Sequence, residues 1–181
     1  MNLWIRMLDG WYGWAIDELE QFLRACPDKL WEQNVWEVKP DDRVAMMSAH
    51  KDGPVTDSRF ESAQLFGSFA SVAFHALSAL DGYLSPEIPW QPPAGFEASY
   101  GFPVRAYLRD ELLEYLEYCR VKAHETFASL TDDQAAAIRT DEPFASALVR
   151  GLMHLREHTG QLGLFLGWNG AAPKATTSPR A

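Results

Sequence analysis

Apolar residues return every three or four positions over four long stretches of this chain, the spacing of an amphipathic helix. The first stretch, from about Ile5 to Ala25, carries Leu8, Trp11, Tyr12, Ala15, Leu19, Phe22 and Leu23 at that spacing. Cys26-Pro27-Asp28 ends it, because the residue before a proline is pushed out of helical geometry. The second, Ser62 to Leu84, sets Leu65, Phe69, Val72, Ala76, Leu80 and Tyr83 on one stripe, with Ser62 as its cap and Ser85-Pro86 as its stop. His75 falls near the middle of this helix, to one side of the stripe, among Ser68, Ser71, Ser78 and Ala79, whose small side chains permit a close neighbour. The third, about Val104 to Leu130, turns Leu108, Leu112, Tyr115, Leu116, Cys119 and Ala123 inward and Arg109, Glu114, Glu117 and Arg120 outward, with His124 toward solvent. The fourth, Phe144 to about Trp168, follows Asp141-Glu142-Pro143, a helix start with acidic residues at the positive end of the dipole. Leu148, Leu152, Leu155, Leu162 and Leu166 form its inward stripe, and Gly170 and Pro173 stop it.

The connections carry a different pattern. Residues 30–61 lack helical periodicity and contain Pro40, Gly53 and Pro54; only Val35-Trp36-Glu37-Val38 alternates, as a strand or extended strip would. A connection this long is often functional or mobile. The segment Pro86 to Pro103 holds five prolines with Trp90, Phe96, Tyr100 and Phe102 between them, which predicts a loop packed on the body, where it would wall a pocket. Residues 171–181 have no large apolar side chain and read as a disordered tail. Four helices without a set of strands predict an all-α fold, an antiparallel four-helix bundle forming one domain over residues 1–170, with long connections after helices 1 and 2.

Composition narrows the function classes. An apolar share of 47% over 181 residues suffices for one substantial core. A net charge of −9 with no run of Lys or Arg opposes a nucleic-acid partner, which would require phosphate neutralisation. Cys26 and Cys119 are the only cysteines and lie far apart, so neither a disulfide framework nor a thiolate zinc site is expected; this usage suits a reducing compartment, the cytoplasm. The N-terminus lacks a signal peptide's charge order, and no window nears the roughly eighteen apolar residues that span a bilayer. The aromatic share, 13%, fits a bulky core or a stacking pocket; for Trp11, Tyr12, Trp14 and Phe22 core filling is the expectation.

The candidate chemistry lies in the fourth helix. His154 and His158 are four residues apart, so both imidazoles leave one side of the helix about one turn apart, on a flank shared with Gln161 and Phe165. Two neutral imidazoles so placed can hold one divalent ion, and His75 from another helix would complete a three-histidine set with positions open to water or substrate. The same pair also occurs on plain helix surfaces and in satisfied cores. His154-Leu155-Arg156-Glu157-His158 also matches the inverted zinc-protease pattern H-x-x-E-H, but that chemistry needs a carboxylate ligand downstream, and no Asp or Glu follows His158. The H-E-x-x-H order and any Glu-x-x-His pair are absent, which opposes a common metalloprotease or a di-iron centre. Cys119, on an inward stripe, reads as an inert buried thiol, and His50 is a distant fourth metal candidate.

The His154-xxx-His158-x-Gly160-Gln161-Leu162 motif and the segment FHALSALDGYL around His75 resemble the DinB-like, YfiT-like superfamily of metal-binding four-helix bundles. The resemblance implies a divalent metal ion, zinc or nickel above all, with His75, His154 and His158 as ligands. That superfamily includes enzymes using low-molecular-weight thiols, such as mycothiol-dependent maleylpyruvate isomerase and bacillithiol transferases. It therefore implies a thiol-dependent transferase or isomerase acting on a small molecule, and a homodimer is expected. The competing expectation is a non-enzymatic interaction protein whose histidines are structural.

Overall fold

In the computed structural model the described residues are 2–36, 67–99, 102–103 and 105–173, and they are mostly helical. Four main helices, α1 (Leu3–Ala25), α3 (Phe69–Leu84), α4 (Arg109–Ser129) and α6 (Phe144–Trp168), pack as a bundle. Short helices α2 (Asp28–Trp31) and α5 (Asp132–Ala136) follow α1 and α4. Two tight antiparallel hairpins complete the set: β1 (Ala98–Ser99) pairs with β2 (Phe102–Pro103), and β3 (Ile138–Arg139) with β4 (Glu142–Pro143). Around the bundle α1 neighbours α4 and α6, and α3 neighbours the same two, with α3 and α6 in the most extensive contact.

Aromatic rings join the helices in the core. Tyr12 meets Phe127 at 5.1 Å between ring centroids, Phe74 meets Tyr115 at 6.0 Å, and Phe69 meets Phe165 at 6.1 Å. The Tyr12 hydroxyl donates to the Leu148 carbonyl at 2.5 Å, which fixes α1 against α6. Two glycines make that approach possible. A Cβ at Gly151 would lie 2.7 Å from both the Tyr12 hydroxyl and Tyr83 Cβ, and one at Gly163 would lie 2.9 Å from the Phe22 ring.

Charged side chains tie the same helices. Arg120 of α4 reaches Asp17 and Glu20 of α1 at 2.5 and 2.6 Å, so a residue expected to face outward spans a helix pair. Arg156 pairs with Glu18 across α6 and α1. Asp81 is fully buried in α3; it receives a proton donor from Tyr115 at 3.0 Å and from Lys122 at 2.5 Å, and Lys122 also donates to Ser85. Its carboxylate oxygens therefore both have partners, as a buried charge requires.

Three boundaries and burials differ from the sequence expectation. The helix predicted from Ser62 starts at Phe69, and its cap is Ser68, whose Oγ accepts from the Ser71 amide at 3.2 Å; residues 62–66 lie outside the described residues. Here the backbone makes another pairing first: the Val35 amide donates to Gly67 O and the Phe69 amide to Gln33 O. Extended pairing thus does exist beside Val35, while residues 37–61 lie outside the described residues. The helix predicted from Val104 starts at Arg109, because Tyr107 turns into the core and stacks on Phe74 at 4.6 Å while Leu108 caps the helix, 70% exposed rather than inward. Glu111 replaces a side-chain cap by accepting from the Leu108 amide at 2.7 Å. In α1 the buried arc runs through Leu8, Tyr12, Ala15 and Leu19, which leaves Trp11 and Trp14 at its edge and beyond, about half exposed instead of filling the core.

Other expectations match the structure. α6 begins at Phe144 and ends at Trp168, with Gly170 in the left-handed region just beyond. The proline-rich loop does lie on the body: Phe96 is buried and stacks on Tyr115 at 4.5 Å. Residues 174–181 and His50 lie outside the described residues. No helix of the described residues is long and apolar enough to cross a membrane.

Candidate metal centre

The site forms where α3 and α6 are closest. Small residues flank His75 on α3, and Gly151 opens α6 one turn before His154, so the two helices can approach near enough for imidazoles to meet. His75 lies 4.9 Å from His154 and 4.9 Å from His158, ring centroid to centroid, and the two α6 rings are 4.4 Å apart, all edge to face. One ligand nitrogen from each of the three falls within 4.8 Å of the others. The three histidines named from the sequence thus come together as a group that could hold a metal ion.

The chemistry of the donors fits a divalent cation. Gln161 Oε1 lies 2.7 Å from His158 Nδ1. A carbonyl oxygen only accepts, so Nδ1 carries the proton and Nε2 keeps its lone pair. That lone pair points at His154, whose Nε2 is 3.2 Å away. Two imidazole nitrogens bound to one ion at about 2.0–2.1 Å each have a separation of this size. His154 Nδ1 is buried with no hydrogen-bond partner among the described residues.

Electrostatics keeps both α6 rings neutral. Burial, helped by the adjacent His158, pushes the His154 pKa down to about 4. Burial also lowers His158, opposed by its bond to Gln161 and by Glu157. Neutral imidazole is the ligand form, so at neutral pH no proton has to leave before an ion enters.

An open depression of about 630 Å³ borders His154, lined also by Tyr83, Arg150, Met153, Arg156 and Glu157. Tyr83 was expected on the core stripe; it is only partly buried, and its ring lies 6.1 Å from that of His154. Periodicity placed it by apolar character alone and had no signal for the gap opposite Gly151. None of the described residues of the proline-rich loop lines this depression.

Among the described residues no carboxylate joins the histidine group, and Glu157 is exposed. The inverted zinc-protease pattern therefore gains no third ligand of the required type. His124 is exposed on α4, away from the group. Cys26 and Cys119 are buried; burial raises the Cys26 thiol to about 12 and drives that of Cys119 well above the ordinary thiol value, so both are poor nucleophiles. Set beside known proteins, the chain matches no protein-family model, no curated protein and no solved structure.

Proposed function

We propose that this chain is a DinB-like antiparallel bundle that holds a divalent metal ion, zinc or nickel, through His75, His154 and His158, and uses it in thiol-dependent transfer or isomerisation. The observation that carries this reading is the convergence of three imidazoles from two helices, one of them locked in its ligand tautomer by Gln161. The motif resemblance supports it as well.

The protein's own part is positional. Gln161 orients His158, burial keeps His154 unprotonated, and the depression beside His154 gives a small molecule access to the group. A bound divalent ion would supply Lewis acidity, which stabilises a thiolate at neutral pH.

The test is conjugation of a small thiol to a model electrophile by metal-loaded protein. Turnover that falls to background in His75→Ala and after chelation supports the reading. Turnover that survives both contradicts it.

A second reading has its own observation. Leu3, Met7, Trp11 and Trp14 form an exposed apolar stripe along α1, from the edge of its buried arc outward, with Arg156 of α6 over the Trp14 ring at 4.2 Å. Such a stripe suits association with a partner, either the second copy of a homodimer or another protein, and would serve a non-enzymatic role as well as an enzymatic one.

A further inference from the structure

Four arginines among the described residues are half-buried: Arg109, Arg120, Arg139 and Arg156. Three have a carboxylate. Arg109 pairs with Asp28, Arg120 with Asp17, Glu20 and Glu117, and Arg156 with Glu18. Arg139 has none. Its Nη2 donates to the Gly82 carbonyl at 2.7 Å, and its Nε is buried without a partner. The carboxylate nearest in the hairpin register is Glu142, paired across from Arg139, but that side chain is taken by Arg150. Burial holds the Arg139 pKa below the usual arginine value; Tyr83 opposes this and Arg150 adds to it. A half-buried guanidinium without a counter-charge is costly, and none of the described residues supplies one to Arg139.

Arg139 also borders a pocket of about 210 Å³ between α4, α5 and the start of α6. Thr126 and Gln134 bring polar groups to it, the Ser129 hydroxyl donates to the Glu125 carbonyl at 2.8 Å, and Leu130, Ile138 and Phe144 make most of the wall apolar. With about 30 Å³ for each water, this is room for a short carbon chain and one charged head. The lining supplies one cation and few donors, which matches a carboxylate better than a phosphate.

We propose that this pocket binds a small organic carboxylate through Arg139, at a site separate from the histidine group. Calorimetric titration of the purified full chain with hexanoate, hexanamide and inorganic phosphate tests it. Hexanoate should bind saturably and at least tenfold more tightly than the other two. Arg139→Gln should remove that preference. Ser129→Trp, which fills the pocket and leaves Arg139 in place, should abolish hexanoate binding and carries the test if Arg139→Gln fails to fold. His154→Ala should leave hexanoate affinity unchanged. The assignment is overturned if hexanamide or phosphate binds as tightly as hexanoate, if no saturable binding occurs, if folded Arg139→Gln keeps the preference, if folded Ser129→Trp still binds hexanoate, or if His154→Ala loses it.

Discussion

At the scale of the residue, the histidine group depends on details that decide protonation and tautomer. Gln161→Leu removes the acceptor that holds the His158 proton on Nδ1; zinc affinity, read by competition with a chelating dye, should fall about 10- to 100-fold while the helical circular-dichroism signal is kept. The pH response follows from the lowered pKa values. For His154 the folded value, about 4, lies below the ordinary 6.5, so the unfolded chain takes up its proton first as pH falls. The stability this group contributes is complete above 6.5 and is lost as pH falls toward 4. Denaturant titrations of metal-free protein across that window should show declining stability, and His154→Gln should show a smaller decline. His154 and His158 were legible in the sequence as a pair because spacing of four on a helix fixes a shared side, and His75 was added to them from the middle of another helix through the resemblance of its segment. Tyr83 and Arg139 were not, since their surroundings depend on how close α3 lies to α6 and on a hairpin of two-residue strands.

Helices and their contacts explain why the group can form at all. Gly151 is the position where α6 admits both α1 and α3; Gly151→Ala puts a methyl 2.7 Å from two of their atoms and should cost roughly 1–3 kcal/mol in chemical denaturation. The Asp81–Lys122 pair between α3 and α4 is a second such joint. Lys122→Met leaves a fully buried carboxylate facing only the Tyr115 hydroxyl and should destabilise by about 3 kcal/mol in the same assay. Periodicity located all four long helices and, in α4, the buried positions except Phe127; in α6 it found Leu148, Leu155, Leu162 and Leu166 but not Ala147, Gly151 and Thr159, whose small or polar side chains carry no apolar signal. It failed at the starts of α3 and α4. Those starts are set by backbone pairing with residues 33–35 and by Tyr107 entering the core, and both are long-range events that local spacing does not encode.

For the molecule as a whole, two surfaces carry the functional reading: the depression beside His154 and the exposed stripe of α1. If the stripe pairs two copies, Trp11→Glu combined with Trp14→Glu should convert a dimer to a monomer in sedimentation velocity without changing metal content. A wild-type monomer at micromolar concentration would contradict the homodimer. The central claim concerns the ion itself. Metal analysis after dialysis, on the wild type and on His75→Ala, His154→Ala and His158→Ala, measures it most directly. The wild type should carry one equivalent of zinc or nickel per chain, with near-complete loss in each folded variant; a wild type without stoichiometric metal, or a variant that retains it, would rule out a three-histidine metal centre.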